Sequence, residues 1–411
     1  MNGKALLICF VGGTFVLYQF LLQGSTSLMV PDLVQSLCVD LSKIGFLSSA
    51  FFYPYILLQI PSGMLADRFG SRKVLLISTL MLGAGAFAFS ISGGFISADI
   101  SRIIMGAASA PGVACAMSLA ARWYPKKFIL VAGIIEMMGM IGGAVGDYVL
   151  SLIIHDHGWR FAMMICAAMG MVLFIAIFLI VCNRPKIEMV VSQEFQTRDS
   201  VNNEFWSHLK SILVNKEIWK VCLYGGLIFT IISAFASLWA IPFFSTLYSE
   251  MSRHAISKAT ALIFIGAAIG AGMSGFLTNK LPSKIIKIIF SLAATVSFAS
   301  ILFIHVSFEV MEGLCLILGI CSGTYILPFA SVEANAPKEA KGLAMGFTNM
   351  VIIGIGGPIF QPVIGWMINV YDASSFGCGM KTIASFQFSL MPILIGLIVS
   401  VFLSFSMKNR G

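Results

Sequence analysis

Charge is what this 411-residue chain has least of: Asp, Glu, Lys and Arg together make up only 11% of it, against about 25% in a typical soluble domain. A folded chain with so little polar surface cannot face water on all sides, which excludes a soluble globular protein. Long polar stretches are missing too, with one exception at 183–217. No cleavable leader is visible, because the first apolar run, about 5–30, is too long for a signal segment and has no small-residue cleavage site. The nine cysteines, mostly inside apolar runs, show no metal-type spacing, and read as small buried hydrophobes. His155, His157 and His305 have no ligand set around them. There is no phosphate-binding glycine loop ending in Lys and Ser or Thr, so nucleotide hydrolysis is not the energy source. No nucleophile–base constellation points to an enzyme, no repeated filter points to a channel, and no cofactor or metal is expected.

What fills the chain instead is hydrocarbon: 58% of residues are hydrophobic and the mean hydropathy is +0.94. A helix needs roughly 20 apolar residues to cross a bilayer. Twelve such runs can be placed, near 5–30, 44–66, 74–96, 100–122, 128–153, 160–182, 218–245, 257–279, 285–306, 312–334, 342–369 and 383–407. The polar stretch at 183–217 divides them six and six. The expected organisation is an amino-terminal bundle at 1–182, a linker at 183–217 and a carboxy-terminal bundle at 218–411. Within the linker, Phe205, Trp206, Leu209, Ile212 and Leu213 recur at helical spacing beside a basic face, which fits a short helix lying on the membrane surface.

The formal charge of +8 does not mean nucleic acid, because the basic residues sit in the gaps between apolar runs. Placing the amino terminus in the cytoplasm puts most of the 26 basic residues on the inner side and leaves only Lys43, Arg102, Arg160, Arg253, Lys258 and Lys381 for the outer side or the helix ends. Both termini and the linker are then cytoplasmic, as in a bacterial inner membrane.

The second inner gap reads Gly63-x-x-x-Asp67-Arg68-x-Gly70-x-Arg72-Lys73. This resembles the signature loop between the second and third helices of the major facilitator superfamily, and the span count puts it in that loop. The resemblance implies an all-α membrane fold of twelve helices in two six-helix bundles related by a pseudo-two-fold axis. It also implies that Asp67 is part of a conformational latch joining the halves on the inner side, with Gly63 allowing close helix approach and Arg68, Arg72 and Lys73 anchoring the loop at anionic lipid. A weaker repeat follows the eighth span as "GFLTNKLPSK", with Asn279 where the acid would be. Arg102-x-x-x-Gly106, "ARWYPKK" at 121–127, "HGWR" at 157–160 and "GGPIFQPVIGW" at 356–366 carry the resemblance along the chain, the second and third of them toward the organic anion/cation symporters. The fifth span has "GMIGGAVGD" where drug–proton antiporters carry a Gly-Pro pair.

Ionisable groups inside apolar spans cost several kcal/mol unless they face a cavity or a partner. Glu136 falls about 12 Å into the fifth span at 1.5 Å per residue. Protonation removes the cost of a buried carboxylate, so Glu136 suits proton coupling or substrate binding; a structural pair with a neighbouring helix is the alternative. Gly139, Gly143 and Asp147 share its face, with Asp147 nearer the outer surface, as a second acid for coupling or structure. Arg102 could hold an anionic substrate or pair with Glu136 or Asp99, while the resemblance favours a buried structural and coupling role. Tyr18, Gln23, Tyr325 and Asn349 are the preferred substrate contacts, with Gln19, Tyr53, Tyr55, Gln59, Thr230, Trp239 and Gln361 as softer candidates; each of these also suits plain helix–helix hydrogen bonding.

The expected function is alternating-access transport, with proton-coupled uptake of a small organic anion or zwitterion by a monomer. Proton-driven export of a metabolite, siderophore or drug is the alternative, and a receptor that binds without transporting is a third.

Overall fold

The computed structural model describes residues 3–124, 128–182, 210–278, 280–335, 341–374 and 382–407. Among them every regular element is a helix. Ten helical stretches are long and apolar enough to cross a membrane. One of these, Val131–Ile180, reverses at Gly158, whose φ of +82° suits a residue without a Cβ, and so supplies the fifth and sixth spans. The second span is not the single helix expected at 44–66. It runs as Leu41–Ser49, Phe52–Leu57 and Gln59–Phe69, which brings the crossings to twelve.

Prolines explain most of these interruptions. A proline ring has no N–H to give and fits best in the first turn of a helix, where that N–H would have no partner in any case. Pro54 and Pro61 each stand third in a restarted helix of the second span. Pro111 opens the second part of the fourth span, Pro328 is second in Leu327–Asn335 of the tenth, and Pro362 is second in Gln361–Ser374 of the eleventh. The seventh span, Lys216–Leu247, widens to π-helix over Ile231–Trp239, and the eleventh does so over Gly356–Phe360. Broken helices free backbone groups, and in lipid these must find partners inside the protein.

The two bundles use one packing device in equivalent places. Gly106 of the fourth span lies against the Phe51 carbonyl of the second, closer than any side chain would allow. Gly319 of the tenth lies in the same way against the Ile263 carbonyl of the eighth. This correspondence is what a pseudo-two-fold relation between the two bundles requires. The outer surface is apolar, with Val172, Leu179 and Phe402 about 70% exposed, as a lipid-facing wall requires.

The halves meet along the fifth and eighth spans and along the second and eleventh. Gly143 faces the Phe264 ring, and Gly45 and Gly365 let the second and eleventh spans close to backbone contact. On the side carrying the expected outer loops, Arg253 pairs with Asp32 at 3.0 Å and the His254 ring lies tilted against Tyr148 with centroids 4.4 Å apart. These two contacts join the halves on that side. The linker helix expected at 205–219 is described only from residue 210 onward, where Lys216 already opens the seventh span.

Candidate functional site

Glu136 is half-buried although its helix neighbours Ile135 and Met138 are buried. Among the described residues it makes no hydrogen bond or ion pair, and no basic side chain is near enough to act on it. Two phenols are near enough: Tyr55 from the second span and Tyr325 from the tenth. The acid of one half thus lies within electrostatic range of an aromatic hydroxyl from each half.

Each partner is placed by an interruption in its own helix. Tyr55 follows Pro54 in the short middle piece of the second span. Tyr325 lies in a single 3-10 turn, Gly323–Ile326, between the two α-helical parts of the tenth span, and packs on Phe229 at 4.9 Å. Gln59 opens the last piece of the second span, and its Oε1 accepts from Asn349 Nδ2 at 3.2 Å. That bond joins the two halves. Gln19 of the first span and Gln59 both stand beside the Tyr55 phenol. Five spans therefore contribute Gln19, Tyr55, Gln59, Glu136, Tyr325 and Asn349 to one polar centre in a hydrocarbon setting.

Of the preferred residues, the structure brings Glu136, Tyr325 and Asn349 together and places the others elsewhere. Tyr18 donates its hydroxyl to the Cys166 carbonyl at 2.8 Å, fastening the first span to the sixth. Gln23 lies where the first span breaks, and its carbonyl accepts from Arg102. Asp147 is buried with Oδ2 unpaired beside Gly24. It stands eleven residues from Glu136, about 16 Å along the helix, so the two acids belong to different places. Gln19, Tyr55 and Gln59, the softer candidates, are the ones that complete the centre.

Arg102 is fully buried and faces backbone. Its Nη1 donates to the Leu22 carbonyl at 2.9 Å, its Nη2 to Gln23 at 3.2 Å and to Ser48 at 3.4 Å, and the guanidinium lies 5.0 Å over the Phe51 ring. The helix Gly3–Gly24 ends at these first two carbonyls and Leu41–Ser49 ends at the third. One arginine thus caps two broken helices. Neither Glu136 nor Asp99 makes a direct ion pair with it, although Asp99 stands near enough for the two charges to act on each other.

In the loop after the second span, Gly70 turns the chain with φ +83°. Arg68 is exposed over Phe69, and Lys73 is exposed. Arg72 donates to the Phe178 carbonyl at 2.6 Å, which ties the third span to the end of the sixth within one half. The side chain of Asp67 and the surroundings of Gly63 lie outside the described part of the structure, as does Asn279 entirely. Sequence reasoning counted Lys287 among the inner-loop bases, but it is buried in the ninth span with Nζ 2.8 Å from Ser331 Oγ. Its place in the fifth position of an apolar helix was the available signal.

The family model for the Major Facilitator Superfamily matches residues 11–361. A hexuronate transporter of Bacillus subtilis (strain 168) is 21% identical over 406 residues, covering 96% of this chain and 87% of that protein. A probable galactarate/D-glucarate transporter of Escherichia coli (strain K12) is 23% identical over 380 residues, covering 84% and 83%. Among solved structures, a bacterial homologue of the human lysosomal transporter Spinster, inward-facing and occupied, superposes with a TM-score of 0.80 at 14% identity over 98% of this chain and 97% of that one. With twelve helical crossings in two matching bundles and a polar centre between them, the chain belongs to the Major Facilitator Superfamily and is an integral membrane transporter rather than an enzyme.

Proposed function

We propose that the protein couples inward proton movement to uptake of a small hydroxylated organic monoanion, with Glu136 as the proton site. The observation that carries this reading is a half-buried acid in an apolar span, within electrostatic range of a phenol from each half and, among the described residues, with no base acting on it. An anion seated about 6 Å from an ionised Glu136 would be repelled by about 3 kcal/mol at an effective dielectric of ~20. Protonation of Glu136 removes that repulsion. Anion and proton then favour each other's binding by about 100-fold, and the coupling is reciprocal. Positive linkage of this kind makes a symporter. The hexuronate and galactarate/D-glucarate relatives support a sugar acid as cargo, and the lack of a base acting on Glu136 among the described residues favours one carboxylate over two.

The two bundles at 1–182 and 218–411 would rock about the polar centre with 183–217 as their connection. Both termini would lie in the cytoplasm, and the site is complete within a single copy. The test is uptake of D-glucuronate into proteoliposomes with and without an inward proton gradient. Accumulation above the equilibrium level only with the gradient is expected; accumulation driven equally well without it would sink the proposal, and efflux driven by the gradient would replace it with export. Asp67→Asn should lower uptake several-fold while leaving the amount of protein in the membrane as it was. Wild-type rates in that variant would remove Asp67 from the latch.

A further inference from the structure

Gln19 is 0% exposed, and neither its Nε2 nor its Oε1 has a hydrogen-bond partner. A buried amide left unpaired costs about 1–3 kcal/mol judged from mutational data. The helix does not simply tolerate it, because the fold makes room for it. A Cβ at Gly112, just after the Pro111 break of the fourth span, would sit 2.8 Å from Gln19 Oε1 and would collide with the Phe15 ring. The neighbouring Gln59 also keeps its Nε2 unpaired, its Oε1 being engaged by Asn349.

Beside the Tyr55 hydroxyl, which stands close to both amides and can itself donate or accept, one amide oxygen and two amide nitrogens lack a short direct bond. A carboxylate would answer the nitrogens but brings no donor for Gln19 Oε1, leaving that oxygen to the Tyr55 hydroxyl alone. An ammonium would answer the oxygen and leave both nitrogens unpaired. A hydroxyl donates and accepts at one atom, and neighbouring hydroxyls on a ring match the alternation. We infer that Gln19, with Gln59 and Tyr55, forms a hydroxyl-reading subsite that selects polyhydroxylated cargo over aliphatic acids of the same size. This inference rests on the uptake reading above and assigns the cargo's hydroxylated side to the amino-terminal half. A site whose buried polar groups are left unpaired by the wrong ligand rejects that ligand far more strongly than an apolar pocket could.

The experiment compares D-glucuronate with tetrahydropyran-2-carboxylate, which keeps the ring and the carboxylate but lacks the hydroxyls. Both are used as competitors of labelled D-glucuronate counterflow in proteoliposomes. The wild type should prefer D-glucuronate by at least 100-fold. Gln19→Met, close in volume and without the amide, should reduce that preference at least tenfold, mostly through weaker D-glucuronate binding. Gln19→Asn, which keeps the amide on a shorter stem, should recover part of it and serves as a second folded variant. A preference in Gln19→Met equal to that of the wild type, with D-glucuronate still transported, would overturn the subsite and leave the proton-coupled reading standing. Absence of D-glucuronate transport in the wild type would overturn both.

Discussion

Glu136→Gln should lose the response of uptake to an imposed proton gradient while still exchanging substrate across the membrane at equal pH. The glutamine has the shape of the protonated acid and no charge, so the variant is held in the state that accepts an anion. In the wild type, raising the pH ionises Glu136 and sets a carboxylate beside the anion. Substrate affinity should therefore fall with rising pH, by as much as about 100-fold for a repulsion of about 3 kcal/mol. The variant has nothing to titrate at that position, and its affinity should stay level across the same range. Gradient-driven accumulation needs the carrier to return without its proton, and the variant cannot mark that step. Counterflow and accumulation thus separate, one persisting and the other falling to the equilibrium level. Equal sensitivity of variant and wild type to the gradient would show that another group carries the proton, with Asp147 the next to replace.

Much of the architecture was legible because lipid leaves a chain few choices. Backbone polar groups must be satisfied within the protein, so apolar runs of about 20 residues become helices. The positions of prolines went further than span counting did. Pro54, Pro61, Pro111, Pro328 and Pro362 each fall within the first turn of a restarted helix, and reading them with that rule would have divided the second span correctly. Pro31 shows its limit, since it stands inside the helix Thr26–Leu37 without ending it. Glu136 could be singled out because a lone acid in hydrocarbon demands a reason. Gln19, Tyr55 and Gln59 could not be ranked above Tyr18 and Gln23, because amides and phenols serve equally as helix glue. Their convergence depends on which face each broken helix turns inward. The Gln59–Asn349 bond spans 290 positions of sequence and exists only once the two halves have met.

Arg102→Ala should be lost as a folded protein rather than as a binding site. The arginine's partners are carbonyls released where the first and second spans break, a need that arises some 50 to 80 residues away in sequence. Removing the guanidinium leaves up to three buried carbonyls unpaired at about 1–3 kcal/mol each, together with a cavity beside Phe51 and Gly106. Two of those carbonyls sit at the end of the helix that carries Gln19, so the damage should spread to the polar centre by loosening its scaffold. Low yield and a markedly lower melting temperature in detergent are expected for Arg102→Ala. Arg102→Lys should recover only part of the stability, because a single ammonium cannot reproduce the planar fork that reaches two helices at once. A substrate-binding arginine would behave differently: Arg102→Ala would fold and melt like the wild type, and the loss would appear as weaker binding of anions. Yield, melting and counterflow measured on the same preparations distinguish the two. Normal stability with selective loss of anion affinity would return Arg102 from the capping role to the substrate site.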